Sequence, residues 1–175
     1  MYSQQDTHRG QMLMDRDHFE SFYNDALPRV YGYLFRRCGG DEADAKDLTQ
    51  ETFLGAVRAL KSGVEVEEPM PWLMSIARRR LVDYYRRAEV RRRPYPLRQP
   101  TDPPDSMTNT AEPRLLCALE TIPPNYRLAL VLRYVDDLPV ADVAALIDKT
   151  PAAAESLLAR ARRALAEAYE DQPDE

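Results

Sequence analysis

Apolar positions recur along most of this chain at the three-and-four spacing of amphipathic helices, and no stretch makes a convincing strand. From His18 to Arg37, Phe19, Phe22, Tyr23, Ala26, Val30, Tyr33 and Leu34 share one face, which predicts one helix, or two broken near Pro28. Gly39-Gly40 supplies its stop. Asp41 to Leu60 predicts a second helix with separated faces. Phe53, Ala56, Val57 and Leu60 form the core side, and Asp44, Asp47 and Glu51 cluster opposite. Leu48 falls on the acidic side beside Gln50, as an exposed apolar residue. After a loop holding Gly63 and Glu65-Val66-Glu67-Glu68, Trp72 to Arg87 predicts a third helix. It buries Leu73, Ala77, Leu81 and Tyr84 and turns Ser75, Arg79, Val82 and Arg86 outward, with Arg78 and Asp83 on its flanks.

The periodicity stops between Pro94 and Pro113, where six prolines alternate with polar residues. This composition predicts an extended linker, which at about 3.1 Å per residue could reach about 60 Å. Beyond it, Arg114 to Ile122 and Asn125 to Val135 predict two helices on either side of Pro123-Pro124. Val140, Val143, Ala144 and Ile147 then mark a short helix, Pro139 to Ile147, followed by the break Asp148-Lys149-Thr150. Thr150 is placed to N-cap a further helix with Pro151 at its first position, where a missing N–H costs nothing. Ala154, Leu157, Leu158, Ala161, Leu165 and Ala168 line its buried face. The fold class expected is all-α. Two small helical domains, 18–90 and 113–170, are joined by a flexible Pro-rich linker, 91–112, after a loose tail, 1–17.

Short helix, tight turn and longer helix is the layout of a DNA-binding helix-turn-helix. The face of the last helix opposite its core carries Ala152, Ser156, Ala159, Arg160 and Arg163, flanked by Glu155 and Arg162. Small residues allow approach to base edges, and arginines reach phosphate or guanine. The same pattern suits a plain helical hairpin with a solvated arginine face. The acidic stripe on the second helix is equally two-sided. It fits a docking surface for a basic partner, or the general preference of acids for a helix N-terminal half.

Charge enters through its distribution. The net charge is −5, yet Arg78 to Arg98 holds nine arginines against Asp83 and Glu89, a local balance of +7. Local clusters govern attraction to phosphate more than the total does. Apolar runs are too short to span a bilayer, and the N-terminus carries no charged-then-apolar leader, so a cytoplasmic protein without membrane insertion is expected. Cys38 and Cys117 read as isolated buried thiols, with no metal-ligand spacing. No P-loop or GxGxxG is present, and no cofactor, metal or small-molecule substrate is expected. A helical nuclease or hydrolase finds no support, because His8 and His18 lie in or beside the tail and no catalytic constellation forms.

Four segments, in this order, resemble alternative sigma factors of bacterial RNA polymerase, of the small extracytoplasmic-function (ECF) group. They are Asp44-Ala-Lys-Asp-Leu-Thr-Gln-Glu-Thr-Phe-Leu54, Pro71-Trp-Leu-Met-Ser-Ile-Ala-Arg-Arg-Arg-Leu-Val-Asp-Tyr-Tyr-Arg-Arg87, Leu119 to Tyr134, and the helix-turn-helix. The resemblance implies that Asp44, Asp47, Leu48, Gln50 and Glu51 face the clamp helices of core polymerase. It implies that the loop 63–71 with Trp72, Ser75, Arg78, Arg79, Asp83 and Arg86 recognises and holds open the promoter −10 element. Lys149, Thr150, Ala152, Glu155, Ser156, Arg160 and Arg163 would read the −35 element. It implies a non-enzymatic initiation factor whose partners are core RNA polymerase, promoter DNA and an anti-sigma factor. A stand-alone helix-turn-helix regulator is the alternative, and co-purification with core polymerase separates the two. Two departures stand out. Arg79 stands where the family often has Asn, and Glu155 and Leu158 flank Ser156 where it often has Lys and Arg.

With Glu155 beside the arginines, the free protein is expected to bind its promoter weakly and in a salt-labile manner, gaining specificity only with polymerase. Nanomolar specific binding by the free chain at physiological salt would count against this.

Overall fold

A computed structural model describes residues 16–91 and 113–171, and every regular element among them is helical. Of the expected N-terminal tail, 1–15 lie outside the described residues, as do most of the proline-rich linker and the last four residues, whereas Arg16 and Asp17, expected in the tail, already belong to the first helix.

Three helices make the first unit: α1 (Arg16–Arg37), α2 (Glu42–Lys61) and α3 (Pro69–Arg91). α1 runs unbroken through Pro28. Ala26, Val30 and Leu34, on both sides of the proline, are fully buried in one core, and that shared burial outweighs a lost hydrogen bond. Gly39 and Gly40 take φ of 66° and 75°, which lets the chain reverse between α1 and α2 without a Cβ clash. The Asp41 carboxylate then accepts from the Asp44 N–H at 3.0 Å and caps α2. α3 starts earlier than expected. Pro69 and Pro71 fit within its first turn, where their missing N–H groups have no helical partner to lose.

Leu48 is not exposed: it is 3% accessible and part of the core. α2 packs against both α1 and α3, so its buried arc widens to include Ala45, Leu48, Thr49 and Thr52 besides Phe53 and Ala56. Thr49 and Thr52 satisfy their buried hydroxyls by donating to the carbonyls of Ala45 and Leu48, each at 2.7 Å. In α3, Leu73, Ala77 and Leu81 are fully buried as expected, but Tyr85 rather than Tyr84 is the buried tyrosine. Tyr84 is half-buried and its hydroxyl donates to Asp44 at 2.8 Å.

The second unit comprises α4 (Pro113–Thr121), α5 (Pro124–Leu130), α6 (Val140–Leu146) and α7 (Pro151–Glu170). Asn125 to Val135 is not one α-helix. After Leu130 the chain widens into a π-helical turn, Val131–Val135, closed by Asp136 N–H donating to the Val131 carbonyl at 3.0 Å. The helix-turn-helix forms as expected. Asp148 turns the chain with φ of 53°, and the Thr150 hydroxyl accepts from Ala153 N–H at 3.2 Å, with Pro151 opening α7. Ala154, Leu157, Leu158 and Ala161 are buried, with Leu165 and Ala168 packed at the edge of the same core.

The two units share packing. Leu128, Leu132 and Val143 of the second unit belong to the core built by α1–α3. Val82, expected to face outward, is 2% accessible in that same core. The sequence pattern assigned this side of α3 to solvent, whereas α5 and α6 pack against α3.

Leu81→Ala should therefore destabilise the protein by about 2–5 kcal/mol in urea unfolding, the range for a fully buried leucine that leaves a cavity. Burial, reinforced by the Asp44 and Asp41 carboxylates, drives the Cys38 thiol well above its ordinary pKa. Cys117 is half-buried. A thiol reagent at mildly alkaline pH should modify Cys117 in the native protein and reach Cys38 only on unfolding.

Candidate nucleic-acid and protein interfaces

The acidic side of α2 divides into two parts. Asp47 and Gln50 are exposed, whereas Asp44 and Glu51 lean toward α3. Asp44 accepts from Tyr84, and Glu51 lies 3.9 Å from Arg87. With Leu48 buried, the exposed apolar residue of this face is Leu54, 44% accessible and seven residues after Asp47. Residues seven apart lie nearly in line on a helix, so Asp47, Gln50 and Leu54 form an open stripe with an apolar end. Periodicity pointed to Leu48 because it does not report that α2 packs against two helices, α1 and α3.

On α3, Ser75 and Arg79 are exposed, and Trp72 is half-buried against the core. The Ser75 hydroxyl donates to the Trp72 carbonyl at 2.7 Å, which keeps the serine within its own helix turn. Asp83 is half-buried, 4.0 Å from Arg86. Arg78 and Arg86 have acidic partners from the second unit: Arg78 Nε lies 3.6 Å from Asp136 Oδ2, and Arg86 donates to Asp148 at 2.7 Å. The six residues expected to face one ligand are thus divided. Four remain with α3 and its surroundings, and two join a seam with the helix-turn-helix unit.

On α7 and the turn before it, Lys149, Thr150, Ala152, Glu155, Ser156, Arg160 and Arg163 are all exposed. Thr150 is also the cap. Ser156 donates to the Ala152 carbonyl at 3.0 Å, and Arg163 pairs with Glu167 at 2.9 Å. Such exposed pairs contribute little and yield readily to a stronger partner. Leu158 is 5% accessible in the second core, so its departure from the family pattern concerns packing rather than the outer face.

Sequence reasoning missed the seam. The Asp136 side chain, 2% exposed, holds an ion pair with Arg37 through Oδ1, while its Oδ2 accepts from the Tyr33 hydroxyl at 2.6 Å. Burial, with the Asp136 carboxylate adding to it, drives the Tyr33 phenol far above its ordinary pKa and keeps it a donor. The Tyr85 hydroxyl donates to the Arg37 carbonyl at 2.8 Å and meets the buried guanidinium of Arg127 from α5. Burial pushes this phenol up to about 12 despite the opposing pull of Arg127. Further along, Asn125 N–H donates to Glu89 at 3.0 Å. These partners lie 36 to 103 residues apart, a distance over which no periodicity carries information.

Among the described residues no group of three or more His, Cys, Asp or Glu side chains could hold a metal ion, and no helix is long and apolar enough to cross a membrane. A family model for sigma-70 region 2 matches residues 22–91, and one for sigma-70 region 4 matches residues 113–165. The RNA polymerase sigma factor CarQ of Myxococcus xanthus is 32% identical over 148 residues, 79% of this chain and 82% of that protein. The ECF RNA polymerase sigma factor BldN of Streptomyces coelicolor is 31% identical over 168 residues, covering 90% of this chain and 62% of BldN. Among solved structures, the sigma factor RpoE of Bartonella quintana, crystallised with the anti-sigma factor NepR, is similar over 89% of this chain and 98% of its own. The TM-score is 0.57 and the identity 20%, so that likeness concerns the fold.

Proposed function

The chain belongs to the ECF group of RNA polymerase sigma factors, and we propose that it directs core RNA polymerase to specific promoters. In this reading α2 docks on the polymerase, α3 with the preceding loop recognises and opens the −10 element, and α7 reads the −35 element. The domains assigned to these tasks are 18–90 and 113–170. Sigma factors are transcription initiation factors without catalytic activity of their own, and the part this chain plays is binding and placement. It acts in the cytoplasm, where polymerase and promoter are, and an anti-sigma factor is its expected restraint.

One observation carries the reading. A single helical frame bears an acidic stripe ending in an exposed leucine on α2, and exposed Ser75 and Arg79 on the neighbouring α3. An acidic surface repels phosphate, so α2 suits a basic protein partner while α3 suits nucleic acid. A stand-alone regulator would need the helix-turn-helix to bind alone, and Glu155 with the Arg163–Glu167 pair dilutes its positive face. Asp44, Asp47, Gln50 and Glu51 form the polymerase-facing set, with Leu54 taking the place expected of Leu48. Trp72, Ser75, Arg78, Arg79, Asp83 and Arg86 form the −10 set. Opening the duplex costs a few kcal/mol per exposed base, which contacts of this kind offset only once polymerase has fixed the register.

Reconstitution with core polymerase tests it. The wild-type chain should co-elute with core enzyme and produce discrete transcripts whose mapped starts share upstream elements. Asp47→Lys, on an exposed position, should weaken core binding by roughly tenfold or more through like-charge contact, with the melting temperature of the free protein unchanged. Arg79→Ala should keep core binding and lower open-complex formation. A chain that fails to associate with core enzyme would overturn the reading.

A further inference from the structure

We propose that Arg80, seated over Gly55 between α2 and α3, anchors a carboxylate of the protein that docks on α2 and so fixes the register of that docking. The proposal deepens the reading of α2 as the polymerase-facing helix and rests on it. Arg80 is half-buried, and its Nε is enclosed without a hydrogen-bond partner. Its guanidinium lies so close to Gly55 that a Cβ there would stand 3.1 Å from Nη2, and 3.3 Å from Ile76 Cγ2. Glycine weakens a helix interior relative to alanine, so this position gives up helix stability for the room to hold an arginine. The two α2 carboxylates that lean toward α3 are engaged elsewhere: Asp44 accepts from Tyr84, and Glu51 lies 3.9 Å from Arg87. Among the described residues, none forms a hydrogen bond or ion pair with Arg80. A charged donor enclosed without an acceptor is costly, and an acceptor that arrives with a partner removes that cost.

The surroundings decide which anion this cation takes. Successive helix residues differ by about 100°, so Arg80 turns toward α2 while the exposed Arg79 points away from it. A phosphate on the α2 side would meet Asp47 and Glu51, which repel it. A carboxylate carried on a largely basic protein surface is not excluded in this way, because that surface's cations answer the same acids. Along α2 the order is acid, apolar, cation: Asp47, then Leu54, 44% exposed, then Arg80 lying over the adjacent Gly55. At 1.5 Å per residue, Asp47 and Gly55 are about 12 Å apart along the helix axis. The partner that fits presents a basic group, an apolar contact and a carboxylate over about that span. Displacing or reversing such a partner sets like charges against one another, so the alternation selects one register. Arg58, exposed one turn beyond Leu54, stands where cations commonly answer a helix C-terminus. Arg80 comes from another helix and has no such role.

The full chain is titrated against core RNA polymerase, with the melting temperature of the free protein measured alongside. Arg80→Glu should weaken core binding by roughly tenfold or more, and Arg80→Lys, which keeps the charge without the planar fork, should lose only part of it. Gly55→Ala gives the sharper reading. Its Cβ displaces the flexible end of Arg80, so core binding should fall by roughly fivefold, while the melting temperature holds or rises with the better helix former. An arginine that only supports the fold gives the opposite pattern, in which binding falls in step with the melting temperature. Gly55→Ala also decides the matter if Arg80→Glu does not fold. Wild-type core affinity in both variants would overturn the proposal while leaving the sigma-factor reading intact. Intact core binding by Arg80→Glu with loss of promoter affinity in the assembled holoenzyme would also overturn it, and would make Arg80 a phosphate contact. A wild-type chain that does not bind core would instead overturn the polymerase reading on which the proposal rests.

Discussion

A carboxylate taken out of water must be met by donors, and Asp136 is met by two, Arg37 and Tyr33, with the charge of Arg78 at 3.6 Å beside them. These partners come from α1 and α3, whereas Asp136 ends the π-helical turn after α5. The arrangement of the two units depends on this residue. Removing the carboxylate would leave a nearly buried Arg37 guanidinium without its ion pair, a loss typically of about 3–5 kcal/mol for buried pairs, whereas the exposed Arg86–Asp148 pair is worth about 1 kcal/mol at most. The π turn is part of the same device. It buries Leu132 in the first core, leaves Tyr134 and Val135 exposed, and delivers Asp136 inward again one residue later.

Helices were the most legible part of the chain, because their signals are local. The Thr150 cap, Pro151 at the first position of α7, and the Gly39-Gly40 stop each act within a few residues. Errors arose wherever a face was assigned without knowing its neighbours. Leu48 lies within an acidic stripe on a helical wheel, but α2 is held between two helices and buries a wider arc than one partner would require. Tyr84 and Tyr85 differ by one residue and about 100°, and the hydrogen bond from Tyr85 to the end of α1 settles which ring goes inward. Val82 was unreadable for a further reason: its cover comes from residues more than forty positions away.

Of the candidate sites, the exposed positions were read well and the engaged ones poorly. All seven positions in and before α7 are open, as a helix packed on one side through Ala154, Leu157, Leu158 and Ala161 must leave them. On α3 the same logic failed in part, because that helix has two packed faces and Arg78 and Arg86 meet carboxylates of the second unit. A run of arginines in sequence reports the capacity to bind phosphate. It does not report which carboxylate in the same chain reaches them first.

The uneven charge along the chain then acquires a physical meaning. Of the nine arginines behind the local balance of +7 at Arg78 to Arg98, Arg78 and Arg86 meet carboxylates of the second unit, Asp136 and Asp148. At Arg78 and Arg86 a contact with phosphate would exchange one anionic partner for another, so its net gain would be smaller than the direct attraction. A protein partner that holds α2 leaves this exchange untouched unless it also separates the units, because the stripe of Asp47, Gln50 and Leu54 lies on a different helix from the seam.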